Sequence, residues 1–597
     1  MKPTTEILDR IMENSQKNKE EIFTRLYRYM LRADLYYLAY NKLYRNKGAS
    51  TKGVDNDTAD GFSEEKINSI IQSLSDETYA PKPVRREYIQ KKRNSAKKRP
   101  LGIPTFTDKL VQEVLRMILE AVYEPTFSYF SHGFRPKKDC HTALNSLKKE
   151  FTGVSWFIEG DIKACFDSID HHVLVGVINT KIKDARLIRL IWKFLKAGYM
   201  EDWKYNSTRS GCPQGGIVSP ILSNIYLNEL DKFAEKTAKE FYEPRKRAHT
   251  AEYANTNYLI QKSKRHLKTA AGQKKAELLK RVKSLNSELR KTPCTSKTDK
   301  VMKYIRYADD FIIGVKGDKA DCEHIKQQFS EFISGNLKME LSEEKTLITH
   351  SNQYARFLGY DVRARREQKL KRRSDNQLSR TLNGTIELNV PFADKIMPFL
   401  FDKAIIRQTH GGAIEYAARK YLYGCTNLEI IDTYNSELRG ICNYYSIASN
   451  FTRLDYFAYL MEYSCLTTLA GKHDSTVKKI RDDFSVANGS WGIPYDTAKG
   501  QKYRTFAKYT DCKDSDSFSD VIVEYAARHT GTRTTLEKRL AAQECELCGK
   551  TNTPLAMHHV NKVKNLKGKK HWEVMMIAKR RKTLAVCKDC HHKIHHP

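Results

Sequence analysis

The chain has 597 residues, of which 40% are hydrophobic, and its formal net charge at neutral pH is +33. This length suggests about four domains with sizeable cores. No run of about 18 apolar residues occurs, and the charged N-terminus lacks an apolar signal-peptide segment, so we expect no membrane span and a cytoplasmic protein. Because the excess positive charge extends along nearly the whole chain, it favours a polyanionic partner over a single lipid-binding patch.

Residues 1–80 have the apolar spacing of helices, interrupted by a loop. Two sets of apolar residues recur at helical spacing, Ile22, Leu26 and Tyr29 in the first and Ile67, Ile70, Ile71 and Leu74 in the second. Between them, residues 46–53 form a basic stretch that contains two glycines. We interpret this stretch either as a solvated connection or as a loop that contacts phosphate groups.

Residues 81–370 mix strand and helix signals. Residues 156–162 are predicted to form a buried strand, and the apolar spacing over 187–194 predicts a helix. The dipeptide Ser219-Pro220 predicts a helix N-cap followed by the first helical position. Residues 232–302 are highly charged and poor in large apolar side chains, which indicates an inserted helical excursion.

The part of the chain after residue 370 contains three segments of different composition. Residues 371–470 are predicted to be mostly helical, residues 471–540 are polar, basic and aromatic, and residues 541–597 form a compact module rich in cysteine and histidine. Nine of the thirteen cysteines are scattered singly, as expected for small buried side chains in a reducing compartment. The other four form two closely spaced pairs in the last module.

The segment from Tyr304 to Ile313 places two carboxylates, Asp309 and Asp310, between runs of apolar β-forming residues. It predicts a β-hairpin with both aspartates at its turn. A third carboxylate, Asp161, lies at the end of the predicted strand 156–162. Carboxylates on rigid neighbouring strands can hold two Mg²⁺ ions roughly 4 Å apart, the arrangement that promotes nucleotide transfer.

A series of motifs around these aspartates resembles the motifs of reverse transcriptases, and in the same order. The motifs are Lys98-Arg99-Pro100-Leu101-Gly102-Ile103-Pro104, Ser131-His132-Gly133-Phe134-Arg135-Pro136, residues 159–167, Cys212-Pro213-Gln214-Gly215-Gly216-Ile217-Val218-Ser219-Pro220, the aspartate hairpin, Leu341-Ser342-Glu343-Glu344-Lys345-Thr346, and Phe357-Leu358-Gly359-Tyr360. The resemblance implies a multidomain α+β fold with the right-hand arrangement of a polymerase, consisting of fingers, palm and helical thumb.

The resemblance also implies roles for individual residues. Asp161, Asp309 and Asp310 would be the catalytic residues of the palm and would bind Mg²⁺. Phe166, five residues after Asp161, would be the aromatic gate that excludes ribonucleotides. The incoming deoxynucleotide would be bound by Arg99, by Gln214 with the two glycines after it, and by Lys91, for which Lys92, Arg93 and Lys97 are alternatives.

The last module contains two Cys-x-x-Cys pairs, Cys545 with Cys548 and Cys587 with Cys590. Their four thiolates suit a tetrahedral Zn²⁺ ion. Residues 557–561 (Met-His-His-Val-Asn) and the histidines after Cys590 resemble an HNH, or ββα-metal, endonuclease. By that resemblance the general base is His559, and the metal ligands are His558, His591 and His595.

One departure from the endonuclease pattern affects this interpretation. Lys582-Thr583 stands where the family carries its middle asparagine, and Asn561 is a candidate for the orienting role of that asparagine. The alternative to a nuclease is a zinc-stapled DNA-binding tail whose histidines only pack or contact phosphate.

Residues 438–445 (Leu-Arg-Gly-Ile-Cys-Asn-Tyr-Tyr) resemble the thumb, or maturase, motif of group II intron-encoded proteins. The resemblance to that family extends over essentially the whole chain, and no RNase H carboxylate set of the viral enzymes is found. It implies an N-terminal RNA-binding extension, fingers and palm with one insertion, a thumb and maturase domain, a DNA-binding region and an HNH module, at residues 1–80, 81–370 (insertion 232–302), 371–470, 471–540 and 541–597.

The family implies a protein that assists the splicing of its intron RNA, cuts the second strand of a DNA target and copies the intron from the new 3′ end. Its partners would be the unspliced precursor and the lariat of a group II intron RNA, target DNA and deoxynucleotides. It would act as a bacterial cytoplasmic ribonucleoprotein associated with the nucleoid. The sequence leaves open which intron and DNA site it uses, the HNH metal, and whether it forms a homodimer.

Three other functions fit the sequence less well. The thumb motif and the HNH module argue against a reverse transcriptase of the retron or diversity-generating lineages. The presence of Asp161, Asp309 and Asp310 argues against a splicing factor whose polymerase has decayed. Phe166 at the gate position argues against an RNA-dependent RNA polymerase.

Overall fold

The computed structural model describes residues 4–90, 98–202, 204–208, 210–212, 215–244, 249–292, 294, 299–366, 370–372, 378–380, 383–486, 490–497, 500–512 and 535–596. The helices, numbered in chain order, are α1 (Thr4–Lys17), α2 (Tyr27–Met30), α3 (Ala33–Leu43), α4 (Glu64–Ser75), α5 (Phe106–Tyr123), α6 (Cys140–Glu150), α7 (Cys165–Ser168), α8 (His171–Lys181), α9 (Ala185–Lys196), α10 (Ser219–Glu240), α11 (Ala251–Thr269), α12 (Gly272–Lys291), α13 (Lys319–Gly335), α14 (Met397–Asp402), α15 (Asn427–Tyr444), α16 (Leu454–Lys472), α17 (Val477–Asp483), α18 (Thr535–Ala541), α19 (His571–Ala578) and α20 (Lys588–His595).

The strands are likewise numbered in chain order. They are β1 (Phe62–Ser63), β2 (Val84–Gln90), β3 (Lys98–Ile103), β4 (Ser131–His132), β5 (Trp156–Asp161), β6 (Tyr199–Glu201), β7 (Lys204–Asn206), β8 (Val301–Tyr307), β9 (Asp310–Lys316), β10 (Ile348–His350), β11 (Ala355–Phe357), β12 (Tyr360–Ala364), β13 (Leu370–Arg372), β14 (Leu378–Arg380), β15 (Ile386–Asn389), β16 (Ile406–Gln408), β17 (Ile414–Tyr416), β18 (Ser485–Val486), β19 (Ser490–Thr497), β20 (Gly500–Thr505), β21 (Leu555–His559) and β22 (Thr583–Cys587).

A sheet with strand order β10-β5-β9-β8-β4 lies at the centre of the polymerase-like region. The strand predicted from residues 156–162 is confirmed as β5, and the predicted aspartate hairpin is confirmed as β8 and β9. Strand β5 runs antiparallel to β9 and β8 runs antiparallel to β9, so the ends of β5 and β9 that carry aspartates lie side by side.

A second sheet, with strand order β3-β2-β6-β7, corresponds to the predicted fingers. In it, β2 and β3 are antiparallel, with Arg99 paired to Ile89. Helix α9 buries Leu187, Leu190 and Ile191 on one face, which confirms the helix predicted from their spacing.

The predicted excursion of residues 232–302 is helical. Helix α10 continues to Glu240 with Ala234 and Thr237 buried, and α11 and α12 then pack against each other as a pair. The excursion returns to the palm through an isolated β-bridge between Glu243 and Lys300.

Three local predictions need correction. The N-cap of α10 is Val218, and Ser219 is already helical. Ile22 is 53% exposed and precedes α2, so it does not share a buried helical face with Leu26 and Tyr29. Residues 371–470 were predicted to be mostly helical, but the part before Asn427 contains strands: β15 pairs with the distant β12, and β16 pairs with β17.

The C-terminal module packs against the N-terminal helices. Strand β21 pairs with β22 on one side and with β1 on the other, with Phe62 opposite Met557. Phe62 is fully buried and stacks on Tyr40, with 3.9 Å between ring centroids. Leu555, Met557 and Val586 of the module therefore belong to the same hydrophobic core as the N-terminal helices.

A second core joins the back of the palm sheet to the thumb helices. It includes Ile305 and Ile312 from the hairpin and Tyr434, Leu438 and Leu466 from α15 and α16. Across the part of the chain that the structure describes, no helix combines the length and the apolar character needed to cross a lipid bilayer.

A buried ion pair holds the aspartate hairpin. The Arg306 and Asp231 side chains are both 0% exposed, and the guanidinium donates to both carboxylate oxygens, from Nε to Oδ1 at 2.7 Å and from Nη2 to Oδ2 at 2.6 Å. Arg306 also donates from Nη1 to the Ala308 carbonyl in the hairpin turn at 2.8 Å and from Nη2 to the Ser131 hydroxyl at 2.7 Å. One guanidinium thus ties the turn to α10 and β4.

We predict that Asp231→Asn destabilises the protein by about 3–5 kcal/mol, because it leaves the Arg306 charge buried without a counter-charge. Chemical denaturation followed by near-ultraviolet circular dichroism measures this change. The matched control is Glu229→Gln on the same helix, whose ion pair with Lys232 is solvent-exposed and should contribute at most about 1 kcal/mol. Equal effects of the two substitutions would contradict the prediction.

Candidate polymerase, zinc and nuclease sites

The three aspartates expected in the palm meet at one edge of the central sheet. The register of β5 and β9 places Asp161 directly opposite Asp310, close enough for the Asp161 charge to raise the pKa of Asp310. Asp309 lies in the two-residue turn between β8 and β9, where Ala308 has a positive φ of 56°. The structure thus brings together the three carboxylates that the sequence singled out.

The electrostatics of this cluster favour bound cations. Burial, followed by the charges of Asp309 and Asp161, raises the pKa of Asp310 to about 7. Burial also raises the pKa of Asp309, with the Asp161 charge acting in the same direction. Like charges held this close repel one another, and divalent cations with oxygen ligands relieve that repulsion. The donor set therefore fits Mg²⁺.

Two cationic side chains face the cluster. The Lys345 Nζ atom lies 2.8 Å from Oδ2 of Asp161. The positive charge of Arg99, on strand β3, lowers the pKa of Asp309. Lys345 belongs to the Leu341–Thr346 motif, but the motif alone does not predict its contact with Asp161.

Phe166 lies on the short helix α7, five residues after Asp161. Its ring is half-buried and meets the exposed ring of Phe134 edge to face, with 6.2 Å between centroids. A cavity of about 370 Å³ opens beside it, lined by Arg86, Gly102 and Asp167 among others. Two further predicted nucleotide-binding residues, Lys91 and Gln214, lie outside the described residues.

The predicted thumb motif, residues 438–445, is hydrogen-bonded to residues 358–360. The Tyr444 hydroxyl donates to the Leu358 carbonyl at 2.5 Å, and the Tyr445 hydroxyl donates to the Gly359 carbonyl at 3.1 Å. Tyr360 in turn donates to the Tyr444 carbonyl. Two motifs about 80 residues apart in the chain therefore bind each other.

The four predicted zinc ligands form one cluster. The sulfur atoms of Cys545, Cys548, Cys587 and Cys590 all lie within 4.8 Å of one another. Sulfur atoms on a tetrahedral zinc ion are about 3.8 Å apart, and those of Cys548 and Cys587 are 3.9 Å apart. Burial alone would raise the pKa of Cys545, but backbone N–H groups, those of Cys548 and Cys587 first, outweigh it and lower the pKa to about 7. The cluster fits Zn²⁺.

The three predicted nuclease ligands form a second cluster, together with a residue that the sequence did not indicate. His558, His591 and His595 surround Asp60, which lies in the loop before β1, and one ligand atom from each lies within 4.8 Å of the others. The distances to the carboxylate oxygens are 3.1 Å from His558 Nδ1, 3.1 Å from His591 Nε2 and 2.8 Å from His595 Nε2. A lone aspartate about 500 residues upstream carries no sequence signal for this site.

The predicted general base, His559, points away from these ligands. Its Nε2 atom lies 3.1 Å from the Tyr44 carbonyl, and its ring meets that of Tyr44 at a 79° angle. Burial lowers the pKa of His559. Because a carbonyl oxygen only accepts hydrogen bonds, Nε2 carries the proton in this arrangement.

Lys582 and Thr583, which stand where the family carries its asparagine, pair through their backbone with strand β21 and the residue after it. Thr583 lies opposite His559 in the β21–β22 ladder, and the Lys582 carbonyl accepts from the Val560 amide at 2.9 Å. Asn561, the candidate substitute, is exposed to solvent. Tyr44 of the N-terminal region is thus the residue that contacts the His559 ring nitrogen.

Comparison with known proteins gives matches to three protein families. The reverse transcriptase (RNA-dependent DNA polymerase) family matches residues 89–362, the type II intron maturase family matches residues 383–523, and the AI2M/AI1M-like HNH endonuclease family matches residues 545–591. A solved telomerase structure from Candida tropicalis aligns at 13% identity over 70% of this chain and 59% of its own, and its TM-score of 0.33 is too low to establish a shared fold.

Curated relatives extend the similarity over the whole chain. The group II intron-encoded protein LtrA of Lactococcus lactis subsp. cremoris is 58% identical over 598 residues, which cover 100% of both chains. The uncharacterized 91 kDa protein in cob intron of Schizosaccharomyces pombe is 35% identical over 98% of this chain and 72% of its own. With reverse transcriptase, maturase and HNH endonuclease families all matched, this chain belongs to the group II intron-encoded proteins.

Proposed function

We propose that this intron-encoded protein copies RNA into DNA at the cluster of Asp161, Asp309 and Asp310. The observation that carries the proposal is the β5–β9 register, which holds two of these carboxylates side by side on rigid strands. The three aspartates would hold two Mg²⁺ ions. When bound, such ions lower the pKa of a primer hydroxyl and stabilise charge on the leaving phosphate.

The surrounding residues would select and orient the nucleotide. Arg99, and Lys91 beyond the described strand β2, would bind the triphosphate by charge, and Gln214 would line the nucleotide pocket. Lys345 would neutralise part of the carboxylate charge before the cations and the nucleotide enter. The ring of Phe166, supported by Phe134, would abut the sugar and exclude a 2′-hydroxyl.

The maturase activity would be carried by RNA-binding surfaces and needs no catalytic side chain. Intron RNA, as unspliced precursor and as lariat, would bind to the basic N-terminal region 1–80, the helical excursion within 232–302 and the thumb 371–470 through phosphate contacts and RNA shape. The Tyr444 and Tyr445 hydrogen bonds to the palm would fix the thumb relative to the template channel.

The C-terminal module 541–597 would cut the second strand of target DNA, and residues 471–540 would bind that DNA. His558, His591 and His595 would hold a divalent cation, and His559 would take a proton from the attacking water. Three imidazoles suit a borderline cation such as Zn²⁺ or Co²⁺ better than Mg²⁺, which prefers oxygen ligands. The assembly would be a bacterial ribonucleoprotein of the cytoplasm, with the protein as a monomer or a homodimer.

The aspartate cluster is tested by replacing Asp309. Asp309→Asn should lower primer extension with deoxynucleotides on an RNA template by about 10³-fold or more, because a catalytic cation contributes several kcal/mol. The control is Glu340→Gln, which removes a nearby exposed carboxylate that pairs with Lys163 and should leave extension within about twofold of the unsubstituted rate. Extension by the Asp309 variant at the unsubstituted rate would refute the site.

The same variants separate RNA binding from polymerisation. Asp309→Asn should still promote splicing of the cognate intron at low Mg²⁺ concentration, since it removes no positive charge. Replacing Arg45, Lys47 and Lys52 with glutamine should weaken intron binding and its salt dependence while primer extension on a simple template persists. Filter binding, splicing and extension assays on the same preparations measure this, and parallel loss of both activities in every variant would disprove separable surfaces.

A prediction for the gate follows from the position of Phe166. Phe166→Ala should reduce the preference for deoxynucleotides over ribonucleotides by roughly 10–100-fold, the size of effect expected when a pocket loses one bulky contact. The measurement is the ratio of kcat/KM for the two nucleotides, which is insensitive to a general loss of activity. An unchanged ratio would mean that another side chain excludes the 2′-hydroxyl.

For the nuclease, we expect His559→Ala to lower second-strand cleavage by about 10²–10⁴-fold, the range for loss of a general base. Cleavage is assayed on an end-labelled DNA target with the intron ribonucleoprotein. Zinc content and primer extension should not change, because His559 lies outside the four-cysteine cluster and the palm. Substitution is preferable to deletion of the module, because deletion would expose Phe62 and the core around it.

A further inference from the structure

Asp60 belongs to the N-terminal region of the chain but lies among the histidines of the C-terminal module. It follows the basic loop 46–53 and precedes β1, whereas the three histidines around it come from β21 and α20. Its Oδ1 atom accepts from the His559 amide at 2.7 Å, and its two oxygens together face the three histidine rings. No other described carboxylate belongs to this histidine cluster.

The geometry matches that of a cation site with four protein ligands. Ligand atoms on a tetrahedral transition-metal ion with bonds near 2.0–2.1 Å are about 3.3 Å apart. The His591 and His595 nitrogens lie 3.1 and 2.8 Å from Oδ2 of Asp60, His558 Nδ1 lies 3.1 Å from Oδ1, and one ligand atom from each of the four side chains lies within 4.8 Å of the others. Both ring nitrogens of His558 and the Nε2 of His591 are buried, and among the described residues none of these atoms makes a hydrogen bond of good geometry.

We propose that Asp60 is the fourth ligand of the HNH cation and that it closes the nuclease in this form of the protein. Catalytic sites of this kind use three protein ligands and keep one position open for water or substrate, whereas four protein ligands make a closed site. A scissile phosphate needs the position that Asp60 holds. Cleavage therefore requires Asp60 to leave the cation. The proposal rests on the proposed nuclease function of the module.

The surroundings of Asp60 support a closed state. The Gly61 amide donates to the Met557 carbonyl at 3.0 Å, and Phe62 is buried where β1 pairs with β21, so the backbone directly after Asp60 is fixed against the C-terminal module. The same docking sets His559 Nε2 against the Tyr44 carbonyl, where that nitrogen cannot accept a proton. One interface thus blocks the fourth coordination position and occupies one nitrogen of the expected base.

The first test measures cation binding by the full-length protein with zinc already in the four-cysteine site. Co²⁺ is titrated in and followed by its visible absorption. Asp60→Asn keeps an oxygen that accepts from the His559 amide but removes the charged ligand, so it should weaken Co²⁺ binding by about tenfold or more. The matched control, Asp55→Asn, removes a charge from the same loop where it pairs with Lys82, and should bind Co²⁺ like the unsubstituted protein. Equal affinity of the Asp60 variant and the control would overturn the proposal.

The second test measures phosphodiester cleavage at saturating Co²⁺ without intron RNA. The substrates are bis(4-nitrophenyl) phosphate, which needs no DNA-binding surface, and a nicking assay on plasmid DNA. Asp60→Asn should cleave faster than the unsubstituted protein, by about tenfold or more, because the blocked state no longer dominates the population. Primer extension by the same preparation verifies that the rest of the protein is folded.

The outcomes separate this proposal from the proposed nuclease function. If Asp60→Asn cleaves more slowly than the unsubstituted protein or at the same rate, Asp60 does not block the site and the closed state is refuted. His591→Ala should abolish cleavage in the Asp60→Asn background, which would support both the cation site and the release from blocking. Cleavage that survives His591→Ala would instead refute the assignment of the nuclease site itself.

Discussion

The pairing of β5 with β9 is the constraint on which the polymerase half of the structure depends. It sets Asp161 opposite Asp310 and leaves Asp309 in the adjoining turn, so three carboxylates share a small, partly buried volume. Such a cluster is unfavourable unless cations compensate its charge. The Arg306–Asp231 pair fixes the hairpin from behind, and Lys345 and Arg99 approach from the front. The fold thus keeps three mutually repelling carboxylates close together, and this arrangement favours the binding of cations.

The second organising feature is that the two ends of the chain form one body. Strand β1 completes the sheet of the C-terminal module, and Phe62, Met557 and Val586 share a core. A module of about 50 residues buries little apolar surface by itself, and docking on the N-terminal helices adds to the apolar surface that it buries. The arrangement also puts Asp60 among His558, His591 and His595 and sets Tyr44 against His559, so the N-terminal region contributes residues to the HNH module.

The sequence predicted the local elements of the sites better than the elements that depend on distant pairing. The aspartate hairpin, strand β5 and helix α9 follow from short-range apolar patterns and are confirmed. The strands before Asn427 were missed, because β15 is short and is stabilised by pairing with β12. Ile22 was assigned to one helical face with Leu26 and Tyr29 from spacing alone, yet it lies before α2 and is exposed.

The sequence by itself determined the family, and it singled out the aspartates, cysteines and histidines that the structure brings together as clusters. Each of these residues lies within a short motif whose spacing reflects one strand, turn or helix, and such spacing can be recognised without knowing the tertiary structure. Only the tertiary structure decided that Lys345 meets Asp161, that Tyr444 and Tyr445 hold the thumb to residues 358–359, and that Asp60 enters the nuclease site. These contacts join segments separated by about 80 to 500 residues, and no local pattern encodes them because their energy arises only when the separate cores pack together.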